Sequence, residues 1–230
     1  MRGRDRPRAC SRPMATTTTE SPFERSLDDI TLAIGCSAAI GRDRLGEELV
    51  AFGRRRPDVL VGVHEMGRAG LLAGLRSGEI ALGLLPGEPD PGFRSVRLWE
   101  DRALLALPRG HALAAEAYVA PDAARDLLFL ASRRSAGAEV HRFLSRRVFG
   151  EGACPTSDMR DCGLGRILAM VADGGGAALL CESHDYPALG QVALLPFAHP
   201  AARFGVYAHW LEEREDAALS ALLGVLTPAY

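Results

Sequence analysis

Lysine is missing from this 230-residue sequence, in which all 27 basic side chains are arginines. Without lysine, the chain can form neither a Walker-type phosphate loop nor a lysine Schiff base with a carbonyl substrate. The five cysteines are odd in number and none is spaced Cys-x-x-Cys, so the sequence indicates neither a disulfide framework nor a zinc site. We therefore expect a reduced, cytoplasmic protein without a metal ion or an organic cofactor.

Long apolar runs and a strong net charge are also missing. No run reaches the roughly 18 apolar residues of a membrane span, and the arginine-rich start does not contain the apolar core of a signal peptide. The formal net charge of −2 provides no bulk basic field of the kind that holds nucleic acid. With 47% hydrophobic and 24% charged residues, the composition is that of an ordinary globular protein.

The first 28 residues differ in composition from the rest of the chain. They begin with the arginine- and proline-rich segment "MRGRDRPRACSRP" and continue with the polar run "MATTTTESP", which has no hydrophobic period. This composition predicts a disordered tail over residues 1–28 and a folded domain over residues 29–230. Met14 is a second candidate for the start of translation.

Strand and helix patterns alternate from Thr31 onward. A short buried strand precedes an amphipathic helix pattern that places Leu45, Leu49 and Phe52 on one face. Two further strands, "VLVGVH" and "IALGLLP", enclose a short helix that ends at Gly78. A second block repeats this order of strand and helix. We predict two α/β lobes built on parallel strands, with a cleft between them that holds a small molecule.

The first candidate site lies where the opening strand ends, at Gly35-Cys36-Ser37. A Gly-x-Ser-x-Gly nucleophile elbow would need a second glycine where this sequence has Ala39, and none of the six histidines stands in a recognisable triad context. A serine hydroxyl beside the free N–H groups of the following helix suits an anion or a carboxylate. We favour this binding interpretation over a catalytic cysteine or serine.

A second junction of the same form lies in "CPTSDMRDCGLGR". Thr156 and Ser157 are predicted to end a strand, and Asp158 to cap the helix that follows. Asp158 and Asp161 are spaced as an acid/base pair would be, although solvated acids at a helix start are commoner. The Arg-Arg-Ser segment 133–135 either offers a guanidinium group to a carboxylate in the cleft or lies plainly on the surface.

Three segments in order carry a resemblance to a known family. They are "LAIGCSAAIGRDRLGEELVAFGRRRPDVLVGVHEMGRAGLLAGLRSGEIALGLL", "LWEDRALLALPRGHALA" and "MVADGGGAALL". Together they resemble the effector-binding domain of LysR-type transcriptional regulators over residues 31 to about 226. The resemblance implies an α/β fold of the two-lobed, type 2 periplasmic-binding-protein kind, with an effector cleft between the lobes. It places lobe I at about 29–109 and 200–230, and lobe II at about 110–199.

The resemblance also implies which side chains contact the effector. They lie on four loops: Ser37, Ala39 and Ile40; Leu85 and Pro86; Ser132, near Ala131; and Thr156, Ser157 and Asp158. The sequence departs from the family pattern where Ala81 replaces an aspartate, where Ala112 replaces a proline, and where Ala39 replaces a second polar residue. These departures imply a less polar pocket.

By this resemblance the chain is a bacterial, non-catalytic domain that binds a small organic effector, an anionic metabolite being one candidate. It would act in transcription regulation indirectly, as a homodimer or as a heterodimer with a full-length regulator, through helices around 45–52 and 140–148. Thirty residues of tail cannot supply the family's winged helix-turn-helix, so direct binding of nucleic acid is not expected, nor is a membrane partner. The alternative is a lyase or dehydratase on the same fold, for which Asp158 is the sequence's candidate cleft carboxylate.

Overall fold

The computed structural model describes residues 32–40, 42–134, 137–152, 155–184, 186 and 190–227. The predicted tail over 1–28 and Ser135 of the Arg-Arg-Ser segment lie outside these residues. The first five elements are β1 (Leu32–Ser37), α1 (Arg42–Arg55), β2 (Val61–Met66), α2 (Arg68–Ser77) and β3 (Leu82–Pro86). This order confirms the β-α-β-α-β arrangement that the sequence predicts.

A long strand, β4 (Arg94–Pro108), leads into the rest of the fold. The elements after it are α3 (Pro121–Ala124), β5 (Phe129–Ser132), α4 (Gly137–Phe149), β6 (Ser157–Arg160), α5 (Leu164–Ala172), β7 (Ala178–Cys181), β8 (Val192–Pro196), β9 (Arg203–Trp210) and α6 (Ala217–Leu226). Short 3-10 helices span Ala112–Ala115, Pro200–Ala202 and Glu212–Arg214. Within the described part of the chain, no helix is long and apolar enough to cross a membrane.

The main sheet is mixed, whereas the sequence patterns predict parallel strands. Its order among the described residues is β2-β1-β3-β9-β4-β7, with β8 also paired to β4. Strand β1 runs parallel to β2 and β3, and helices α1 and α2 provide the crossover connections that parallel strands need. Strand β9 returns between β3 and β4 and runs antiparallel to both, and β7 and β8 are antiparallel to β4. Strands β5 and β6 form a separate parallel pair.

Strand β4 passes through both lobes. Its first part, from Arg94 to Arg102, pairs with β9, and its second part, from Ala103 to Pro108, pairs with β7 and β8. The sequence patterns predict two separate strands here because Glu100 and Asp101 interrupt the apolar run. The strand continues because Asp101 is buried and accepts hydrogen bonds from backbone N–H groups.

Each lobe has its own apolar core. The first lobe comprises β1–β3, β9, the first part of β4, and helices α1, α2 and α6. Its core packs Leu45 and Phe52 of α1 against the sheet, as the helical pattern predicts. The second lobe comprises the rest of β4, β5–β8 and helices α3–α5. In it, α4 contributes Leu144 and Val148 to one core cluster, and α5 contributes Ile167 to another. Because each core holds the helices of its lobe against the strands, it also fixes the surface that this lobe presents to the cleft.

The helix after the second junction begins later than the sequence predicts. Strand β6 begins at Ser157, where the sequence predicts a strand to end, and extends through Asp158 to Arg160 because it pairs in register with β5. Helix α5 starts at Leu164, with Gly163 as its N-cap. The prediction of Asp158 as a helix cap is therefore wrong, and its carboxylate instead forms an ion pair with Arg160 at 2.5 Å.

Candidate effector site between the lobes

Two cavities lie side by side where the lobes meet, and Ala39 of the first lobe and Val140 of the second lobe line both of them. We call the first the apolar cavity; it has a volume of about 230 Å³ and is bounded by the loop after β1, by β5 and β7, and by the start of α5. We call the second the charged cavity; it has a volume of about 300 Å³ and is bounded by the end of β3, the start of α2, and α4.

Aliphatic side chains form most of the wall of the apolar cavity. Leu130, Ile167 and Leu180 of the second lobe line it, and Ala38 belongs to its first-lobe side. The first turn of α5 also lies at this wall, and its first N–H groups have no partner within the helix. A small molecule with a large apolar surface fits such a cavity.

His141 and Ser157 form a hydrogen-bonded pair at the edge of the apolar cavity. The hydroxyl of Ser157 donates to the carbonyl oxygen of Pro155 at 3.0 Å, so it accepts from Nε2 of His141 at 2.8 Å. This arrangement places the imidazole hydrogen on Nε2. Burial lowers the pKa of His141, which favours the neutral ring. The pair adds polarity to the cavity without adding charge.

Other hydroxyl groups at the apolar cavity bind the protein backbone. Ser132 donates to the carbonyl oxygen of Cys162 at 2.6 Å. The hydroxyl of Tyr186 donates to the carbonyl oxygen of Cys181 at 2.8 Å and accepts from its N–H at 3.0 Å. Burial raises the pKa values of both Tyr186 and Cys181, so both stay protonated near neutral pH. These hydroxyl and thiol groups of the cavity wall are therefore neutral, and both hydroxyl groups already have partners within the chain.

Two arginines lie at the charged cavity, and each meets a carboxylate of this chain. Arg68 lies 3.4 Å from Asp90, and Arg147 lies 3.5 Å from Glu88. Arg147 also donates to two backbone carbonyl oxygens, those of Ala201 at 2.8 Å and Arg203 at 2.6 Å. These contacts hold the guanidinium groups in place and neutralise them locally.

Residues 26–230 match the family described as the LysR substrate binding domain, which covers most of the chain. The chain belongs to this family. No individual curated protein sequence matches it significantly. The family is homologous to the effector-binding domains of LysR-type transcriptional regulators, so the resemblance expected from the sequence is confirmed.

Solved structures share the fold of this LysR substrate-binding domain. The C-terminal domain of a probable LysR family transcriptional regulator from Rhodococcus sp. RHA1 superposes with a TM-score of 0.71 at 21% identity, covering 85% of this chain and 97% of that one. The BenM effector-binding domain with its effector benzoate gives 0.68 at 20% identity, covering 85% and 89%. The reduced OxyR regulatory domain from Pseudomonas aeruginosa gives 0.64 at 21% identity, covering 85% and 96%. The two-lobed, periplasmic-binding-protein-like fold follows from these matches.

The structure brings some of the predicted effector-contacting residues of this LysR domain together. Those that line a cavity are Ser37, Ala39, Leu85 and Pro86 at the charged cavity, and Ala39 and Ser132 at the apolar cavity. Those outside the described lining of both cavities are Ile40, Thr156, Ser157 and Asp158. Ile40 is buried in the first-lobe core, and Ser157 reaches the cavity only through His141.

The start of helix α4 carries cavity residues that the sequence analysis did not select. Glu139, Val140 and His141 line one or both cavities, although the resemblance places this helix at a dimer surface. The available signal was an acid, an apolar residue and a histidine in the first turns of a helix that directly follows a strand. That pattern is also typical of an ordinary solvated helix start, so it does not single out a site by itself.

A buried histidine stands behind the charged cavity and makes stability depend on pH. His209 is 0% exposed, and its Nε2 accepts a hydrogen bond from the N–H of Asp90 at 3.2 Å. Burial lowers its pKa; the Arg68 charge acts in the same direction, whereas the backbone at Tyr207 and the Asp90 charge oppose it. The unfolded chain, with a histidine pKa of about 6.5, therefore takes up the proton more readily than the folded domain.

We expect acid to destabilise the wild-type domain more steeply than the variant His209→Gln, whose amide oxygen still accepts from Asp90. The contribution of His209 is fully present above the unfolded pKa and is lost as the pH falls from about 6.5 towards the lower folded pKa, with a slope of at most about 1.4 kcal/mol per pH unit. The variant keeps the contribution of His141. Urea unfolding at a series of pH values measures the difference, and equal slopes for the two proteins would contradict it.

Proposed function

We propose that this domain binds a small organic effector in the apolar cavity and acts in transcription regulation without catalysing a reaction. The observation that carries the proposal is the cavity itself, which lies between the lobes and is walled mainly by aliphatic side chains. Such cavities bury most of a small ligand and orient it with a few polar groups. The structures of related domains support this use of the fold, since one of them holds benzoate as its effector.

Both lobes contribute to the wall of the apolar cavity, so a bound ligand contacts both at once. Ala38, Ala39 and Glu65 belong to the first lobe, and Ser132 and Leu164 to the second. A ligand shifts a conformational equilibrium only through its different affinities for the two states. A molecule that touches both lobes has this property, because its contacts change when the lobes move relative to each other.

The orientation of the hydroxyl groups supports a non-catalytic role. A serine nucleophile must donate its proton to a base, whereas Ser157 accepts from His141 and donates to a backbone carbonyl. Asp158, the candidate carboxylate of the enzyme alternative, is held by Arg160 and is outside the described lining of both cavities. Cys181 lines the apolar cavity, but burial raises the pKa of its thiol and so removes the reactive thiolate.

We also propose that the domain works in the cytoplasm as a homodimer or as a heterodimer with a full-length regulator. Val50 of α1 supports the pairing, since it is an apolar side chain that is 56% exposed on a helix that buries Leu45 and Phe52 and half-buries Leu49. The apolar residues of α4, by contrast, pack into their own lobe, which leaves α1 as the better supported half of the pairing surface. Sedimentation of the purified chain at several concentrations measures its association state.

Thermal unfolding with a metabolite library tests effector binding. A ligand present at a hundredfold excess over its Kd stabilises the folded state by about 2.7 kcal/mol. We expect hits that raise the Tm of the wild type and are recovered unchanged. The variant Ala38→Phe, which fills the apolar cavity from its half-exposed loop, is expected to lose this rise, and the control Ala115→Phe, on an exposed 3-10 helix, to keep it. Consumption of a hit would replace this proposal with the enzyme alternative, and the absence of any hit would remove it.

A further inference from the structure

Helix α2 of the first lobe begins without a side-chain cap from its own segment. Its N-cap is Gly67, and its first turn contains no acidic residue. The N–H of Arg68 instead donates to Oε1 of Glu139 at 2.7 Å. Glu139 lies 71 positions further along the chain, in the first turn of α4, which belongs to the second lobe. A carboxylate of one lobe therefore caps a helix of the other lobe, at the end where the helix dipole favours negative charge.

Gly67 provides the space for this carboxylate. A Cβ atom at position 67 would lie 2.5 Å from Oε2 of Glu139, which is closer than atoms that are not bonded approach each other. The φ angle of Gly67 is −74°, which any residue adopts, so a side chain here would conflict with the present position of the Glu139 carboxylate and not with the backbone conformation. One carboxylate oxygen accepts from the N–H of Arg68, and the other occupies the space where a Cβ atom of residue 67 would lie. The carboxylate of a ligand at this helix start would need the same position.

The arginines that line the two cavities are matched by carboxylates within the chain. Arg68 meets Asp90, Arg147 meets Glu88, and Arg134 at the apolar cavity lies 3.0 Å from Asp161. Each guanidinium group that lines a cavity in the described part of the chain therefore already has a carboxylate partner. An anionic ligand would lose its hydration and would have to compete with these carboxylates for a cation. A neutral ligand meets no such opposition.

We propose that Glu139, in the charged cavity that adjoins the apolar cavity along Ala39 and Val140, determines specificity by occupying the place that the carboxylate of a bound effector would take, so that the cleft selects uncharged, largely apolar effectors. The inference rests on the proposed function and narrows its ligand class, since an anionic metabolite is one of the effectors that the family resemblance allows. Glu139 also joins the lobes, so an acid that displaces it must break this bond between them. The Glu139 carboxylate thus opposes the binding of acidic ligands in two ways. It occupies the start of α2, and it bonds the two lobes to each other across the cleft.

Acetate rescue tests whether the Glu139 carboxylate occupies the start of α2, and it needs no known effector. In Glu139→Ala the helix start is vacated and acetate can take the place of the lost carboxylate. We expect acetate, exchanged for chloride at constant ionic strength, to raise the Tm of this variant by about 2–4 °C, the shift that an anion at a helix start gives a domain of this size. Acetamide should have no such effect.

Glu139→Gln is the matched control for acetate rescue. Glutamine removes the charge but keeps an oxygen that accepts from Arg68, and its side chain still fills the space over Gly67. We therefore expect acetate to affect this variant and the wild type alike, and less than the alanine variant. If acetate raised the Tm of all three proteins equally, the proposal that Glu139 occupies the start of α2 would be overturned.

Benzamide and benzoate, together with the neutral and acidic hits of the metabolite library, test the selection itself. On the wild type we expect the neutral member of each acid and amide pair to bind at least about tenfold more tightly, and Glu139→Ala to bind the acids about tenfold more tightly than the wild type does. Acids that bind the wild type as tightly as amides would overturn the selection while effector binding stands. Acetate rescue without any hit on the wild type would support the role of Glu139 and remove the proposed function instead.

Discussion

Replacing Asp101 by alanine is expected to lower the free energy of unfolding by about 3 kcal/mol, because the change leaves buried donors without an acceptor. Asp101 is 2% exposed in the middle of β4. Its carboxylate accepts from the N–H of Arg102 at 2.8 Å, from the N–H of Ser183 at 3.1 Å and from the hydroxyl of Ser183 at 2.5 Å. Hydrogen bonds to a charged acceptor are among the stronger ones in proteins.

The loss of Asp101 should also weaken ligand binding, since Ser183 directly precedes a wall residue of the apolar cavity, His184. Urea unfolding measures the stability, and thermal shift with a library hit measures the binding. Asp122→Ala is the control, because Asp122 forms an ion pair with Arg125 at 3.0 Å but is 87% exposed. Exposed pairs contribute at most about 1 kcal/mol. Losses of equal size in the two variants would show that burial of Asp101 adds nothing.

Asp101 illustrates how far sequence patterns predict this fold. The first five elements follow from apolar periodicity and from glycine and proline positions, and they are confirmed. Glu100 and Asp101, however, interrupt the apolar run and so indicate the end of a strand. Whether a buried carboxylate finds its donors depends on a segment some eighty positions away, at Ser183. Periodicity is a local property and does not contain that information.

The same limit applies to the start of α5. Asp158 has the residue type and spacing of a helix cap, and local propensity favours that conformation. Pairing with β5 keeps Asp158 in a strand instead, since Ser157–Arg160 of β6 pair one to one with Phe129–Ser132 of β5. Tertiary pairing overrides local preference here. The local patterns predict two α/β lobes with a cleft between them, and the family resemblance adds that the fold is of the type 2 periplasmic-binding-protein kind.

The candidate site was less accessible to sequence reasoning than the fold. Ser37, Pro86 and Ser132 lie at the cleft because each stands at the carboxyl end of a strand, which is a position that patterns reveal. The bond between Glu139 and Arg68 joins two helices of different lobes. Neither residue has an unusual sequence context, so their meeting is a property of the assembled lobes alone.

Gly176 lies where β5 and β7 come together, beneath the apolar cavity. Gly176 has a φ angle of +153°, which side chains rarely allow, and a Cβ atom there would lie 2.6 Å from the carbonyl oxygen of Leu128. That oxygen cannot move aside freely, because it accepts from the N–H of Ala177 at 2.8 Å. The carbonyl of Ala177 in turn accepts from the N–H of Leu130 at 2.8 Å. Strain at position 176 is therefore transmitted directly to the contact between the two strands.

We expect Gly176→Ala to lower the free energy of unfolding by about 3 kcal/mol or more, from backbone strain together with the clash against a fixed carbonyl. The matched control is Gly165→Ala in α5, where a Cβ atom meets nothing within 4 Å. Alanine favours a helix by up to about 1 kcal/mol over glycine, so the control should be neutral or stabilising. If Gly176→Ala lowers the free energy of unfolding while Gly165→Ala, 11 positions away, does not, the constraint lies in the conformation of Gly176. A loss within about 0.5 kcal/mol of the wild type, the range of an ordinary surface change, would mean that the strands adjust and that the wall of the cavity is softer than these contacts indicate.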